Sequence, residues 1–131
     1  MCCCSGDLVG KTVVLTGGTS GIGLTVATEI AKRGALIIFT ARNLSQGTRI
    51  RDKIIAQTGN PNVICKQLDL NDFSSIQTFV SQLQPGLYPN IDILINNAGI
   101  FFHPPEKTID GYDVTFQTNY LGILCTGLHS V

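Results

Sequence analysis

Apolar and polar positions follow two spacings along this chain, and the spacings predict strands and helices in turn. The stretch KTVVLTG is a short apolar, β-branched run that ends in glycine, which is typical of a strand entering a turn. After it, apolar residues recur at helical spacing, and Gly34 closes the segment. These apolar positions are Ile22, Val26, Ala27 and Ile30. The first part of the chain therefore predicts a strand, a glycine turn and a helix.

The same alternation continues to the end of the chain. ALIIFTA predicts a second strand, residues 45–57 a second helix, NVICKQLDL a third strand, and IDILINNAG a fourth. DFSSIQTFVSQL predicts a third helix with Asp72 as its N-cap. A last, long helix is predicted from Tyr112 to Leu128, facing a neighbour over much of its surface. Its apolar positions are Val114, Phe116, Tyr120, Leu121, Ile123 and Leu124.

Strands that alternate with helices in this way predict the α/β class, with a doubly wound parallel sheet and right-handed crossovers. The runs ALIIF and IDILI are almost continuously apolar, as expected for strands covered on both faces. Only four strands are visible, so the apolar fourth strand would lie at an uncovered sheet edge, which is a hazard for a native domain. We therefore expect an incomplete piece of a larger fold, truncated after four strands.

Length and charge narrow the classes of function. The 131 residues fit one domain, 1–131, and the nine basic and nine acidic residues cancel. No basic stripe with interleaved aromatic residues is present, so nucleic acid is not expected as a partner. No run approaches the roughly 18 apolar residues of a membrane span, and no secretory signal is visible. These features predict a cytoplasmic protein without a membrane span.

The cysteines and histidines do not predict a metal site. A structural zinc site needs paired ligands such as C-x-x-C with a second pair, and neither histidine lies near a cysteine pair. The residues in question are Cys2, Cys3, Cys4, Cys65, Cys125, His103 and His129. The three consecutive cysteines form either a short surface tail in a reducing compartment or an acylated segment that associates with a membrane.

The stretch TGGTSGIG, from Thr16 to Gly23, has the composition of a phosphate-binding loop. Glycine allows the sharp turn and lets a pyrophosphate approach the main chain. A helix that begins near Gly21 would direct unpaired N–H groups and its positive dipole end at that anion. The hydroxyls at the loop crest could bind phosphate or cap the helix. We expect nucleotide contacts from Gly17, Thr19, Ser20, Gly21, Ile22 and Gly23, although turns and helix caps also use glycine.

The end of the second strand bears on which dinucleotide is preferred. A carboxylate there would accept a hydrogen bond from the ribose 2′-OH and repel a 2′-phosphate. This chain has Ala41 and Arg42 instead, and a guanidinium can pair with a phosphate through two parallel hydrogen bonds. The sequence therefore favours NADP over NAD. In the alternative interpretation, Arg42 is only a solvated loop residue.

Four motifs in order resemble those of the short-chain dehydrogenase/reductase family, which has a Rossmann-type fold. They are TGGTSGIG, LDL at Leu68 to Leu70, NNAG at Asn96 to Gly99, and TNYLG. The resemblance runs from about Asp7 to about Leu124 and matches the N-terminal half of a typical member. The segment ARNLSQGTRIRDKIIAQTGNPNV is similar to the retinol dehydrogenase branch in particular, where arginine after the second strand goes with NADP(H).

The resemblance assigns roles to residues beyond the glycine loop. It implies that Asp69 accepts a hydrogen bond from the adenine amino group, with the Leu70 backbone beside it. It also implies that Asn96, Ala98 and Gly99 line the adenosine ribose and the floor of the site. From the residues alone, NNAG could equally be the polar turn that ends a strand.

Asn119 resembles the asparagine of the family's Asn-Ser-Tyr-Lys catalytic tetrad, where it would hold a water that relays protons from the lysine. An asparagine in the middle of an apolar helix is otherwise unfavourable, because its amide competes with the backbone. The physical argument therefore also predicts a partner for this side chain.

The rest of the tetrad has no counterpart in this sequence. A tyrosine that transfers protons at neutral pH needs a lysine four residues on to lower its pKa. Tyr88, Tyr112 and Tyr120 are followed at that spacing by other residues, and Ser130 comes too early for the family serine. We therefore expect this chain alone to be inactive.

Two interpretations of function remain. In one, the full-length protein is an NADP(H)-dependent oxidoreductase acting on a retinoid, steroid or other lipophilic carbonyl or alcohol. In the other, the chain is a non-catalytic dinucleotide-binding fragment or an interaction module, with self-association through the uncovered sheet edge.

Overall fold

The computed structural model describes residues 6–83, 86, 88 and 90–129, so the Cys2 to Cys4 cluster and Ser130 lie outside the described residues. Four strands alternate with helices, as the hydrophobic pattern predicts. The strands are β1 (Thr12–Leu15), β2 (Leu36–Ala41), β3 (Val63–Gln67) and β4 (Ile93–Ile95). The helices are α1 (Gly21–Lys32), α2 (Leu44–Thr58), α3 (Phe73–Ser81), α4 (Val114–Phe116) and α5 (Gly122–His129), and a π-helical turn (Gln117–Leu121) joins the last two.

The four strands form one parallel sheet in the order β3-β2-β1-β4. This confirms the prediction of an α/β fold with a doubly wound parallel sheet. The chain moves outward from β1 to β3 and then returns to place β4 on the opposite side of β1. Within the described residues, the outer edge of β4 pairs with no further strand.

The two central strands, β1 and β2, carry the core. Alternate side chains of a strand face opposite sides of the sheet, so each strand contributes to two apolar layers. Val13, Leu15, Ile37 and Phe39 pack on the side of α1 and α2. On the other face, Val14 and Ile38 pack with residues of α3, and α5 contributes partly buried side chains. Both layers are therefore built around strands that water does not reach.

Local signals set the helix ends. Asp72 is the N-cap of α3, as predicted, and its Oδ1 accepts from the backbone N–H groups of Ser74 at 2.8 Å and Ser75 at 3.3 Å. The hydrogen bond from the Ser74 hydroxyl is the main reason that the pKa of the Asp72 carboxyl lies below its ordinary value. Asn43 caps α2 in the same manner, and Gly59 ends that helix in the left-handed conformation.

A glycine allows α2 to lie close to the sheet. A Cβ atom at Gly47 would lie 2.8 Å from Ala41 Cβ and closer still to the Cys65 sulfur. The thiol of Cys65 is therefore covered by the helix backbone rather than by a side chain. Burial raises the pKa of this thiol, and the nearby charge of Arg51 opposes that rise.

The last helical region does not bury the residues that the sequence predicts. It begins at Val114 rather than Tyr112, and the π-helical turn interrupts it. Three apolar side chains that were expected to face a neighbour are exposed by about half: Phe116 (51%), Tyr120 (56%) and Leu124 (45%). Gln117, by contrast, is fully buried, because its amide donates to Asp110 Oδ2 at 2.7 Å and bonds the Thr108 hydroxyl.

The described part of the chain has neither a membrane-spanning helix nor a cluster of metal ligands. None of its helices is both long and apolar enough to cross a membrane. Its histidine, cysteine and carboxylate side chains form no group of three or more that could hold a metal ion.

Candidate functional site

A cleft of about 330 Å³ opens at the carboxyl ends of β1, β2 and β4. It lies where the strand order reverses direction, which is the usual ligand position in open α/β sheets. The cleft is lined by Gly17, Thr19, Ser20, Ile22, Gly23, Thr40, Ala41, Arg42, Leu68, Asp69, Leu70, Asn71, Asn97, Ala98, Gly99, Ile100 and Thr118. Most of the residues that the sequence predicts for a dinucleotide site thus lie together.

Two glycines let the β1–α1 loop lie against the end of β4. Gly17 has a φ of 71°, and a Cβ there would lie 2.9 Å from the Ala98 backbone. A Cβ at Gly23 would overlap the Gly17 carbonyl oxygen and lie 2.6 Å from Asn97 Nδ2. Side chains at these two positions would therefore force the loop away from the sheet.

The first turn of α1 has free hydrogen-bond donors. In the described chain, no acceptor is bonded to the backbone N–H groups of Gly21, Ile22 and Gly23. Ser20 is the N-cap residue, but its hydroxyl makes no capping bond, so the capping alternative is not observed. A helix start with unpaired N–H groups and a positive dipole end is suited to a phosphate group.

Ile22 lies in the cleft rather than in the core. Its position in the helical repeat predicts a buried side chain, yet 78% of it is exposed. The other apolar positions of this repeat are buried or partly buried. Ile22 is therefore outside the apolar core, and its contact with a nucleotide stays a prediction.

Thr16 and Asn97 join the ends of β1 and β4, and sequence reasoning did not single out either as a site residue. The buried Thr16 hydroxyl oxygen accepts from the N–H groups of Asn97 and Ala98, both at 3.1 Å. In return, Asn97 Nδ2 donates to the carbonyls of Thr16 at 3.1 Å and Gly17 at 3.0 Å. These bonds fix the phosphate loop to the fourth strand.

Asn96, the first asparagine of NNAG, does not line the cleft. Its side chain is exposed, whereas Asn97, Ala98 and Gly99 all contribute to the lining. Asn97 thus takes the place in the lining that was expected of Asn96, and a ribose contact from Asn96 stays a prediction. Successive residues of an extended chain point to opposite sides, so only one of two adjacent asparagines can face the loop.

Thr40, at the end of β2, is a third site residue that the sequence pattern did not predict. Its hydroxyl accepts from Gly17 N at 3.3 Å, and its carbonyl accepts from Gly18 N at 3.2 Å. The loop is thus held by β2 on one side and by β4 on the other. Its position within an apolar strand that ends near a glycine loop could have identified Thr40 as a site residue.

Arg42 follows β2 and lines the cleft with an exposed side chain. Two other arginines of the described chain pair with carboxylates, whereas Arg49 does not: Arg51 Nη2 lies 2.7 Å from Asp52, and Arg33 Nε lies 3.7 Å from Glu29. No such ion pair involves Arg42 in the residues described. Its guanidinium is therefore available to an anion in the cleft.

Asp69 and Leu70 form the opposite wall. Asp69 Oδ1 accepts from the Asn71 N–H at 2.9 Å, and Asp69 N donates to the Ser75 hydroxyl at 2.9 Å. Leu70 is buried, and a Cβ at Gly122 would lie 2.7 Å from its carbonyl oxygen. The start of α5 therefore presses directly against this wall and fixes its position.

Asn119 bonds the backbone that follows β4. Its Oδ1 accepts from Ile100 N and its Nδ2 donates to Ile100 O, each at 2.8 Å. The predicted partner for this amide is therefore present, although Asn119 is exposed and its neighbour Thr118 lines the cleft instead. A role in proton relay stays a prediction. Tyr88, Tyr112 and Tyr120, which the structure describes, do not line the cleft.

Comparison with known proteins agrees with this geometry. The model of the short chain dehydrogenase family matches residues 11–128. Retinol dehydrogenase 12 of Mus musculus is 38% identical over 122 residues, which cover 93% of this chain and 38% of that protein. The chloroplastic short-chain dehydrogenase TIC 32 B of Brassica napus is 40% identical over 111 residues, covering 85% of this chain and 34% of that protein.

Solved structures show the same likeness. The crystal structure of an uncharacterized protein from Mycobacterium Paratuberculosis superposes with a TM-score of 0.81 at 34% identity, covering 94% of this chain and 42% of that one. The chain thus spans less than half the length of these proteins. The match over residues 11–128, together with the sheet order and the cleft, shows that this chain belongs to the short-chain dehydrogenase/reductase family of oxidoreductases and is similar to retinol dehydrogenases.

Proposed function

We propose that this chain binds NADP(H) and forms the cofactor-binding part of an oxidoreductase acting on lipophilic carbonyls or alcohols. The observation that carries the proposal is the set of hydrogen-bond donors in the cleft wall. It combines the unpaired N–H groups at the start of α1 with the unpaired guanidinium of Arg42. The helix start binds the pyrophosphate, and Arg42 binds the 2′-phosphate of the adenosine ribose.

The preference for NADP over NAD rests on Arg42. Residues 40–43 contain no carboxylate that would accept a hydrogen bond from a free 2′-OH. A cation next to the cleft favours the ligand with the additional negative charge, and Arg42 has no competing carboxylate among the described residues. We expect an affinity for NADPH about tenfold to a hundredfold above that for NADH, as for hydrogen bonds to a charged group.

Calorimetric titration with NADPH and NADH tests this proposal. The variant Arg42→Ala should lose most of the preference by weakening NADPH binding alone. Arg49→Ala is the matched control, because Arg49 is exposed nearby on α2 and does not line the cleft. Equal affinities for the two dinucleotides in the unmodified chain would refute the role of Arg42. Absence of binding by either would refute the proposed function.

The substrate class follows from similarity to proteins named retinol dehydrogenase. A retinoid, a steroid or another lipophilic carbonyl or alcohol is proposed for the full-length protein. For this chain alone we propose no turnover, because none of its tyrosines is followed by lysine four residues later. Retinal-dependent oxidation of NADPH by the purified chain at ordinary enzyme rates would contradict this.

A second candidate function is a non-catalytic dinucleotide-binding or interaction module that associates with itself. The observation in its favour is the edge position of β4, where Ile93 is 39% exposed. Sedimentation velocity should then show concentration-dependent dimers that Ile93→Lys abolishes. Ile109→Lys, at an exposed loop position, should leave them intact. A monomer at all concentrations would remove this candidate.

For localisation we propose the cytoplasm, with acylation of Cys2, Cys3 and Cys4 as the alternative. Replacement of all three cysteines by serine separates the two. A cytoplasmic chain keeps its distribution between membrane and supernatant fractions, whereas an acylated chain leaves the membrane fraction.

A further inference from the structure

Ser45 lies in the first turn of α2 and carries a free hydroxyl. Its side chain is exposed, and this hydroxyl makes no hydrogen bond within the described residues. The hydroxyls of three other described serines are bonded: Ser74, Ser75 and Ser81. Ser20 also has an unbonded hydroxyl, but no charged residue lies within four positions of it in the sequence. Ser45 differs from Ser20 in its charged neighbours.

Two arginines flank Ser45 and have no carboxylate partner. Arg42 comes three residues earlier and Arg49 four residues later, and both side chains are exposed. Neither forms an ion pair in the described part of the chain, and residues 41–50 contain no acidic side chain. Residues four apart on a helix are neighbours, with about 5–6 Å between their Cβ atoms, so Arg49 can reach a group on Ser45. The free hydroxyl thus lies between two unpaired cations.

A phosphoryl group on Ser45 would bind these cations. It carries about two negative charges near neutral pH and has three acceptor oxygens. A guanidinium pairs with such a group through two parallel hydrogen bonds. Arg42 would then hold a phosphate of its own chain instead of the 2′-phosphate of a dinucleotide. The helix tolerates this group, because negative charge is favourable in the first helical turn.

We propose that Ser45 is a phosphorylation site and that its modification weakens the binding of NADP(H) by engaging Arg42. This inference rests on the proposed binding of NADP(H). The chain before α2 is extended at Asn43, with a φ of −101° and a ψ of 108°, and Arg42 and Ser45 are both exposed. A kinase can therefore contact the arginine and the serine together from solvent.

The modification uses ATP and a protein kinase that recognises arginine three residues before serine. Ser45 Oγ attacks the γ-phosphorus of ATP, and a new O–P bond forms as the bond from that phosphorus to the bridging oxygen breaks. ADP leaves, and the hydroxyl proton passes to a base of the kinase. Hydrolysis by a phosphatase returns the free hydroxyl and with it the binding of NADP(H).

Phosphorylation of the purified chain tests this inference. A kinase with the stated requirement is supplied with Mg-ATP, and peptide mass spectrometry locates the phosphate. A synthetic peptide of residues 38–51 is the positive control for the kinase. Calorimetry then compares NADPH with NADH. We expect the affinity ratio to fall from about tenfold to a hundredfold in the unmodified chain to about one after phosphorylation.

Three variants separate the role of Arg42 from general effects of charge. Ser45→Ala should take no phosphate at this position and should bind both dinucleotides as the unmodified chain does. Ser45→Glu should lower the ratio about threefold, because its carboxylate carries one charge rather than two. Gln57→Glu is the matched control, because Gln57 is exposed at the other end of α2 and does not line the cleft. It should leave the ratio unchanged.

The outcomes distinguish this inference from the function on which it depends. A folded chain that takes no phosphate at Ser45, while the peptide is phosphorylated, would overturn the site. Phosphate at Ser45 with an unchanged affinity ratio would overturn the regulation and leave the proposed function standing. Equal losses in Ser45→Glu and Gln57→Glu would overturn the engagement of Arg42. Absence of binding of both dinucleotides to the unmodified chain would remove the proposed function and this inference together.

Discussion

Different interactions hold the inner strands β1 and β2 and the edge strand β4 in the sheet. The inner strands β1 and β2 are buried on both faces, and apolar packing against helices surrounds them. The edge strand β4 has only three residues, all of them partly or largely exposed, and polar bonds hold it at both ends. Asp92 joins it to Lys11 and Thr12 at one end, and Thr16 bonds Asn97 at the other.

This difference shows how the cleft is assembled. Apolar burial fixes the position of β1 and β2, and the phosphate loop extends from that rigid base. The floor of the cleft, from Asn97 to Ile100, depends instead on directional hydrogen bonds between side chains and backbone. We expect the β4 side to open locally at lower free energy than the inner strands, because little apolar surface is buried there.

The largest loss of stability is expected where the β1–α1 loop contacts the residues that follow β4. Gly23→Ala would drive a methyl group into the Gly17 carbonyl and against Asn97, which should cost about 4 kcal/mol and abolish dinucleotide binding. Gly21→Ala is the matched control, because nothing lies within 4 Å of its added Cβ and only its φ of 52° is unfavourable. It should cost about 1 kcal/mol. Urea denaturation measures both, and similar costs would show that the loop yields easily.

The second effect compares the two neighbours of Val14 in the sheet. Ile38 on β2 and Leu94 on β4 are both in register with Val14 and share its apolar layer. Ile38→Ala should destabilise the chain by about 3 kcal/mol, because Ile38 is completely buried. Leu94→Ala, at a half-buried position, should cost about 1 kcal/mol. Equal shifts in the urea midpoint would contradict the contrast between the strands.

The third loss of stability concerns the hydrogen bonds of Thr16 at the cleft floor. Thr16→Val removes the acceptor of two N–H groups and should cost about 2 kcal/mol despite its similar volume. Thr16→Ser keeps the oxygen and should retain most of the stability. Amide hydrogen exchange at Asn97 and Ala98 should accelerate in the valine variant only. Unchanged exchange there would mean that other contacts hold β4 in place.

The smallest effect is a dependence on pH. The hydrogen bond from Lys11, with one from Thr12 N, lowers the pKa of Asp92 below its ordinary value of 3.8. Since the folded pKa is the lower one, the stabilisation is present above the ordinary value and disappears as pH falls through the folded pKa. Asp92→Asn should therefore lower the urea midpoint at about pH 7 and less at about pH 3, with salt reducing the difference. A difference that persists in acid would contradict this ion pair.

The repeating pattern was sufficient to predict the sheet and most helices. Strands and helices alternate where the apolar spacing changes, and Asp72 is the cap that its position before DFSSIQ implies. Glycines and Arg42 also lie in the cleft, because strand ends of a parallel sheet converge at one edge. These features depend on local sequence and on chain topology, and both can be inferred from the spacing of apolar residues.

Long-range hydrogen bonding was not predictable from the pattern. Asn97 rather than Asn96 faces the loop, and the distinction depends on the phase of β4 relative to β1. In the last helical region, the buried Thr118 bonds Asn71 far away in the sequence, whereas the buried Gln117 bonds the nearby Asp110. The π-helical turn adds a residue to one turn and so rotates the following helix face, which a constant period of 3.6 cannot represent.

The close contact between α2 and β3 makes Cys65 a chemical reporter. A thiol whose pKa is raised by burial holds little thiolate at neutral pH, so alkylating reagents should modify it slowly in the folded chain. Separation of α2 from β3 would expose the sulfur and accelerate its labelling. Peptide-resolved mass spectrometry after timed exposure to iodoacetamide would thus measure how often this helix detaches, without any change to the sequence.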